Sequence, residues 1–355
     1  MRFRIIGQPN DSGIGTHYYN YTQALKQIGG INQIIDLINF QDNAALRNAS
    51  ETSQHDDVNL ALVPCNLNGN IRGTNINWGV FESTRIPGSI RQTLKENDLW
   101  VPSEWGRKIA IANGCDVNRI EVVPEGVDGD IFHPYLNAKD PARFRFLFIG
   151  KSEARKSILE TLTAFAEEFG DDPAVELTVK SDFFRNPTDK YYELTAEIER
   201  LRCKNICLVW GHQTTNEMAN LYRSSNVFVF PTKAEGWGLP LIEAAASGLP
   251  LVTTFYSAQT EFLKDIRSSC VFVPYELCDI DCAEYREFYP DPEGDYGQWA
   301  VPTVQAIRTA MRRAYKDYDA LSRQAMLNSE VIRNQYSWHV AAVKSLGVLK
   351  KNGLI

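Results

Sequence analysis

VFVFPTKAEGWGLPLIEAAASGLPLV, residues 227–252, reads as a strand, a glycine-rich turn, an apolar helix and a second strand. Pro240 fits the first helical turn, where its missing N–H is not needed. Gly236 and Gly238 keep the turn free of side-chain bulk, so backbone N–H groups can approach an anion. The helix amino end adds its partial positive charge, and together they make a cradle for a pyrophosphate or sugar phosphate. Glu235 precedes the turn and Glu243 follows it, with seven residues between them. A carboxylate accepts two hydroxyl donors at once, so the pair can grip opposite ends of a nucleotide sugar. Glu243 lies among Leu241, Ile242, Ala244 and Ala245. An isolated carboxylate on so apolar a helix is costly without a partner, and a ligand is one such partner.

Outward from this stretch, short apolar runs alternate with amphipathic ones along most of the chain. That is the pattern of parallel sheets covered by helices. Strands are expected at Phe3 to Gly7, Gln33 to Ile38, Val58 to Val63, Ile76 to Phe81, Leu99 to Val101 and Glu121 to Val123. Helices are expected at Thr16 to Ile28 and at Glu104 to Asn113, the second capped by Ser103 and stopped at Gly114. Asp128 to Asp140 is a linker rich in Gly, Pro, Asp and Asn, and a new alternation begins at Phe144. The expected architecture is α/β: two Rossmann-like domains, residues 1–137 and 138–337, facing each other across a cleft at the carboxyl ends of their strands. Residues 276–299 read as a long surface loop, and Cys207 as part of a buried strand.

A second stretch, FRFLFIGKSEARKSILETLTAFAEEF, ends a strand at Gly150 and supplies Lys151, Arg155 and Lys156 before a helix. Departure of a diphosphate leaves negative charge, which basic side chains can stabilise without a metal. Lys156 at the expected helix start opposes the helix dipole, which points to an anion facing it. The first βα turn, GQPNDSGIGTHYYN, allows close backbone approach at Gly13 and Gly15. The dinucleotide fingerprint fails there, because Tyr18 stands in place of its third glycine. His17 nearby, and Glu82 in NINWGVFESTRIP, are candidates for contact with an acceptor. Either can equally be structural, Glu82 as a cap or as an ion-pair partner of Arg85.

The 355 residues suit two domains. With 37 basic and 44 acidic residues the net charge is −7, so the basic footprint that nucleic acid requires is missing. Residues 1–137 carry 11 basic and 15 acidic side chains, and association with a membrane is not indicated. The opening MRFRIIGQPNDSG has too short an apolar run for a secretory signal, which sets the expectation of a cytoplasmic protein. Seven cysteines fit a reducing compartment. The pairs Cys203/Cys207 and Cys278/Cys282 lack the convergent ligands of a zinc site.

Together the segments GIGTHYYNYTQAL, WVPSEWGRKIAIANGCDVNRIEVVPEGVDGDIFHP, FLFIGKSEARKSILETLTAF and VFVFPTKAEGWGLPLIEAAASGLPLVTT resemble glycosyltransferase family 4, retaining enzymes of the GT-B fold (glycosyl transferases group 1). GQWAVPTVQAIRTAMRRAY and the closing YSW resemble it too. The resemblance implies that Glu243 binds the donor ribose and Glu235 the transferred sugar. Lys156 would hold the diphosphate, as would Lys151, which stands where the family usually has arginine. Gly236, Trp237, Gly238 and Leu239 would present amides to the donor, and Gly15 would approach its phosphates. The helix at about 338–355 would pack on the first domain. Two features depart from the family pattern: no histidine follows the strand before Glu82, and Lys156-Ser157 replaces a frequent Lys-Gly.

The implied activity is a hexosyltransferase-like transfer from a nucleotide-diphosphate sugar to a hydroxyl acceptor, a saccharide or other glycan precursor. Configuration would be retained, with no cofactor and no metal. Asp128-Gly129-Asp130 spells an acidic metal motif of another glycosyltransferase architecture, but it lies in the linker. Rival readings are another GT-B enzyme, an epimerase or phosphorylase, and a catalytically silent nucleotide-sugar-binding protein or partner subunit.

Overall fold

The computed structural model describes residues 2–10, 12–28, 35–39, 41–62, 71–135, 139–170, 172–183, 186–291 and 293–355. The chain divides into two units. The first comprises Met1–Gly126, Arg286–Tyr296 and Tyr336–Ile355, and the second Val127–Tyr285 and Gly297–Gln335. The expected boundary at residue 137 lies outside the described residues.

The first unit runs β1 (Phe3–Gly7), α1 (Gly13–Gln27), β2 (Ile35–Asn39), α2 (Asn43–Thr52), β3 (Val58–Ala61), β4 (Thr74–Trp78), α3 (Gly88–Glu96), β5 (Asp98–Val101), α4 (Glu104–Ala112) and β6 (Ile120–Val122). Its six strands are parallel in the order β2-β1-β3-β4-β5-β6. Strands buried on both faces need apolar runs, and Phe3–Gly7 and Val58–Ala61 are buried throughout. The Ser103 side chain accepts from the Gly106 amide at 3.0 Å and starts α4. Gly114, at φ +87°, stops it as expected. Arg4, fully buried in β1, is matched by Asp57 at 2.6 Å, so the charge is not left alone in the core.

The second unit runs β7 (Phe144–Ile149), α5 (Ile158–Phe169), β8 (Val175–Ser181), α6 (Pro187–Leu201), β9 (Ile206–Trp210), α7 (Thr215–Arg223), β10 (Val227–Phe230), α8 (Leu239–Ala246), β11 (Leu251–Thr253), α9 (Thr260–Leu263) and β12 (Cys270–Phe272). There follow β13 (Tyr275–Asp279), α10 (Ala283–Phe288), β14 (Gln298–Pro302), α11 (Val304–Lys316) and α12 (Tyr318–Gln335). The last helix, α13 (Trp338–Lys351), belongs to the first unit. The six parallel strands are ordered β12-β11-β10-β7-β8-β9. Strand order reverses between β7 and β10, which places the topological switch point there.

Two expectations are corrected. Residues 276–299 are not one loop, because β13 and β14 pair antiparallel from Tyr275↔Pro302 to Asp279↔Gln298. Every residue of β13 is exposed, so backbone pairing forms the hairpin without the apolar alternation that would announce it. Cys207 is exposed, because β9 is an edge strand. Helices α2 and α3 were not foreseen; each buries a single residue, Ala49 or Leu94. No helix among the described residues is long and apolar enough to cross a membrane.

Two features fasten later segments to the first unit. The Asp291 carboxylate accepts from the Gly88 amide at 3.0 Å and from Arg91 at 2.7 Å, capping α3 in place of Pro87. Helix α13 packs on α1, where the Tyr21 hydroxyl meets Ser345 Oγ at 2.7 Å. A Cβ on Gly126 would lie 2.4 Å from the Trp338 amide nitrogen. Gly126→Ala is therefore expected to displace α13 and to lower stability by about 1–3 kcal/mol, measured by denaturant unfolding. Faster proteolysis within residues 336–355 should accompany the loss.

Candidate active site

Because β7 and β10 are neighbours at the switch point, the loops leaving their carboxyl ends lie side by side. Hydrogen bonding ties them together: the Lys233 amide donates to the Arg155 carbonyl at 2.8 Å. After β7, residues Ala154–Lys156 form a 3₁₀ turn, and Ser157 takes a left-handed conformation at φ +56° before α5 begins. That backbone favours glycine. Lys156 therefore precedes the helix and does not sit in its first turn, which corrects the dipole argument for its importance. The turn directs it instead toward the other loop.

There it meets Glu235. Lys156 Nζ lies 2.7 Å and 2.9 Å from the two carboxylate oxygens, and Arg155 Nη1 2.9 Å from Oε1. The Thr232 hydroxyl donates to the same Oε1 at 2.7 Å. Glu235 and Lys156 are only 4% and 8% exposed. Burial alone would raise the carboxyl pKa. The charges of Lys156 and Arg155, with hydrogen bonds from Lys156 and Thr232, reverse this and hold it below the ordinary value. Glu235 is thus a fixed anion between two fixed cations. Its backbone is set as well, since its amide donates to Ser257 Oγ at 2.8 Å.

The turn continues into α8. Gly238 is its N-cap at φ +95°, and no side chain caps the helix. The Leu241 and Ile242 amides both donate to the Gly238 carbonyl, at 2.9 Å and 3.1 Å. Pro240 has no amide hydrogen, so it leaves no donor to be satisfied at this end. Trp237 does not turn outward: its ring is 2% exposed and packs edge-on against Phe262 at 5.2 Å. What it can offer a ligand is its backbone.

Glu243, partly exposed on α8, has the partner that its apolar surroundings called for. The Tyr222 hydroxyl from α7 donates to Glu243 Oε2 at 2.8 Å. Burial pushes the Glu243 carboxyl up to about 7, against the pull of that bond. Lys151 is half-buried in the loop after Gly150, and its carbonyl accepts from the Glu153 amide at 2.7 Å.

The first-unit candidates fare differently. A Cβ on Gly15 would lie 1.8 Å from the Asn10 carbonyl oxygen, and the Gly15 amide donates to the Ser12 cap at 3.3 Å. Packing within the unit is thus enough to require glycine there. His17 is 4% exposed. Its ring sits 4.4 Å from Trp78 and 5.3 Å from Trp338, with Nδ1 3.5 Å from Glu125 Oε1. The ring is thus enclosed by aromatic side chains of its own unit. Glu82 is half-buried in the segment between β4 and α3. Arg85, suggested as its partner, pairs with Glu293 and Asp295. Asp128 Oδ1 accepts from the amides of Asp130 and Ile131 at 3.0 Å and 3.3 Å, closing its own turn.

Thr232, Ser257 and Tyr222 escaped the sequence reading. Each is an ordinary core or turn residue by type, and only folding brings Thr232 and Tyr222 to a carboxylate and Ser257 to the Glu235 amide. Two stability predictions follow from the carboxylates. Glu235→Ala leaves two buried cations together and should cost about 3–5 kcal/mol. Lys156→Met leaves Glu235 held by Arg155 and Thr232 and should cost distinctly less; chemical denaturation compares them. For Glu243 the folded-state pKa is raised, so its contribution is intact below 4.5 and lost as pH rises through about 7. Glu243→Gln should accordingly melt higher than the wild type at pH 8 and not at pH 4.5.

With this geometry in place, comparison with known proteins is informative. Residues 132–279 match the family model described as glycosyl transferases group 1. The D-inositol 3-phosphate glycosyltransferase of Pseudarthrobacter chlorophenolicus is 29% identical over 245 residues, covering 66% of this chain and 54% of the relative. That of Segniliparus rotundus is 31% identical over 145 residues, 39% of this chain and 32% of the relative. The chain thus spans about half or less of the length of these curated relatives. Among solved structures, sucrose-phosphate synthase from Thermosynechococcus elongatus superposes with a TM-score of 0.74 at 14% identity, covering 99% of this chain and 98% of that one. Anabaena HepE, in complex with UDP and glucose, does so at 0.73 and 11%, covering 99% and 100%. The fold is the expected GT-B type, and residues 132–279 carry the match to the glycosyl transferases group 1 model that the sequence resemblance leads one to expect.

Proposed function

We propose that the protein is a retaining glycosyltransferase that moves a sugar from a nucleotide-diphosphate-sugar donor to a hydroxyl acceptor, a saccharide or other glycan precursor, without a metal ion. The observation that carries this reading is the cluster at the switch point of the second sheet. Two buried cations, Lys156 and Arg155, converge on one carboxylate beside an uncapped helix end. Such a site suits a ligand that carries both a diphosphate and sugar hydroxyls. Lys156, with Lys151 in the same loop, would take the diphosphate. The amides of the turn from Gly236 to Leu239 would add to its binding. Glu235 would accept hydroxyls of the transferred sugar and Glu243 those of the ribose.

In the reaction the acceptor oxygen attacks the anomeric carbon on the face from which the diphosphate leaves. The bond from that carbon to the phosphate oxygen breaks as the new glycosidic bond forms. The acceptor proton passes to the departing phosphate oxygen, so no enzyme nucleophile is needed. Lys156 would neutralise the charge that grows on that oxygen, which is the metal-free form of electrostatic stabilisation.

The relatives suggest probes for both substrates. Those named D-inositol 3-phosphate glycosyltransferases point to a polyol phosphate as acceptor, and HepE, solved with UDP-glucose, to that donor. The assay pairs UDP-, GDP-, ADP- and dTDP-sugars with D-inositol 3-phosphate and simple saccharides. Lys156→Ala and Glu243→Ala are each expected to lower kcat/KM by about 10–100-fold, the worth of one charge-assisted hydrogen bond. Near-normal transfer by both variants would remove the site assignment. Activity should survive EDTA; complete loss restored by Mn²⁺ would defeat the metal-independent part.

A further inference from the structure

The two carboxylates of the site are held in different ways. Glu235 is fixed by cations, whereas among the described residues no cation pairs with Glu243. Helix α8 packs on β10, β11 and α12. The two strands, VFVF and LVT, contribute no ionisable side chain. On α12 the ionisable groups are Tyr318, Asp319, Arg323, Glu330 and Arg333, and among the described residues none pairs with Glu243. Tyr318 is engaged by Lys139 and Asn226. Among the described residues the polar contact of its carboxylate comes from α7, the Tyr222 hydroxyl at 2.8 Å from Oε2.

That hydroxyl has a single proton and two acceptors in reach, because the Pro240 carbonyl oxygen lies 3.1 Å away. Tyr222 is fully buried, its ring edge-on to Phe132 and tilted against Phe228, both at 5.7 Å. The oxygen cannot swing away; only the proton can turn. Burial, and then the Glu243 charge, hold the phenol far above its ordinary range, so it remains a donor.

We propose that Tyr222 is a positioning residue for ligand binding: with its proton on Oε2 it fixes the Glu243 carboxylate in one rotamer and leaves Oε1 to accept the hydroxyls of the ligand. The inference rests on the reading of Glu243 as a donor ligand. When Glu243 gains a proton, the Tyr222 proton can turn to the Pro240 carbonyl, and the fixed acceptor is lost. Donor affinity should therefore follow the ionisation of Glu243, weak on the acid side of about 7 and strong on the alkaline side.

The test is calorimetric titration of the full chain with UDP-glucose, GDP-mannose and ADP-glucose from pH 5.5 to 9, a range in which their diphosphate diesters do not titrate. The wild type should bind one of them more tightly as pH rises, with a midpoint near 7. Tyr222→Phe should bind about fivefold more weakly at pH 9, where lost orientation alone counts. At pH 7 the deficit should widen, because removing the hydrogen bond moves the midpoint up by up to about one unit. In a Glu243→Gln background, which should show no pH midpoint, Tyr222→Phe should change little.

Wild-type affinity and midpoint in Tyr222→Phe would overturn the proposal, as would an equal loss in the Gln background. Should Tyr222→Phe fail to fold, 3-fluorotyrosine at position 222, a stronger donor of the same shape, takes its place. It should lower the midpoint, and an unmoved midpoint would overturn the proposal. Failure of the underlying reading looks different: none of the three nucleotide sugars binds, or Glu243→Gln binds like the wild type at every pH.

Discussion

A carboxylate that is 4% exposed stays ionised only where cations meet it, and Glu235 is met by two. That requirement dictates much of the second unit. The cations come from the loop after β7 and the carboxylate from the loop after β10, so the strands must be neighbours. Reversal of strand order is what makes them so. The left-handed Ser157 lets the basic turn precede α5 without being absorbed into it. The bond from the Lys233 amide to the Arg155 carbonyl keeps the two loops in register.

The two glutamates, separated by a turn, illustrate how one residue type acquires two characters. Glu235 is surrounded by positive charge and is held below the usual carboxylate range. Glu243 has burial and, among the described residues, no countercharge, and is pushed to about 7. When neighbouring titratable groups are driven apart in this way, they are suited to separate roles. One is a permanent anion; the other changes charge within the range where cells live.

The sequence was most legible where local chemistry and long-range packing demand the same residues. Gly238 and Pro240 mark the turn and the helix start, Gly238 because its backbone is left-handed and Pro240 because the first helical turn needs no amide hydrogen there, and the buried strands announce themselves by apolar runs. Legibility fell where an element is held by its neighbours. Strand β13 is exposed along its length and exists through its pairing with β14. In α2 and α3 the single buried residues give no stripe to read. Lys156 stands out in the sequence for a partly mistaken reason, since it lies before the helix. Tyr222 was missed because a tyrosine in an amphipathic helix looks like any other core residue. His17 shows the same limit: a histidine near a glycine turn says nothing of the tryptophans that fold around it.

The first unit is not one continuous stretch of chain. Arg286–Tyr296 supplies the carboxylate that caps α3, and Tyr336–Ile355 supplies the tryptophan beside His17 and the serine beside Tyr21. A fragment cut after Gly126 would keep all six strands of its sheet and yet expose a bare helix end, unmatched arginines and an open aromatic core. Dissection into halves at the obvious place is thus ruled out by the path of the backbone. A soluble first half would have to be built as a rewired chain that grafts the two later segments onto it.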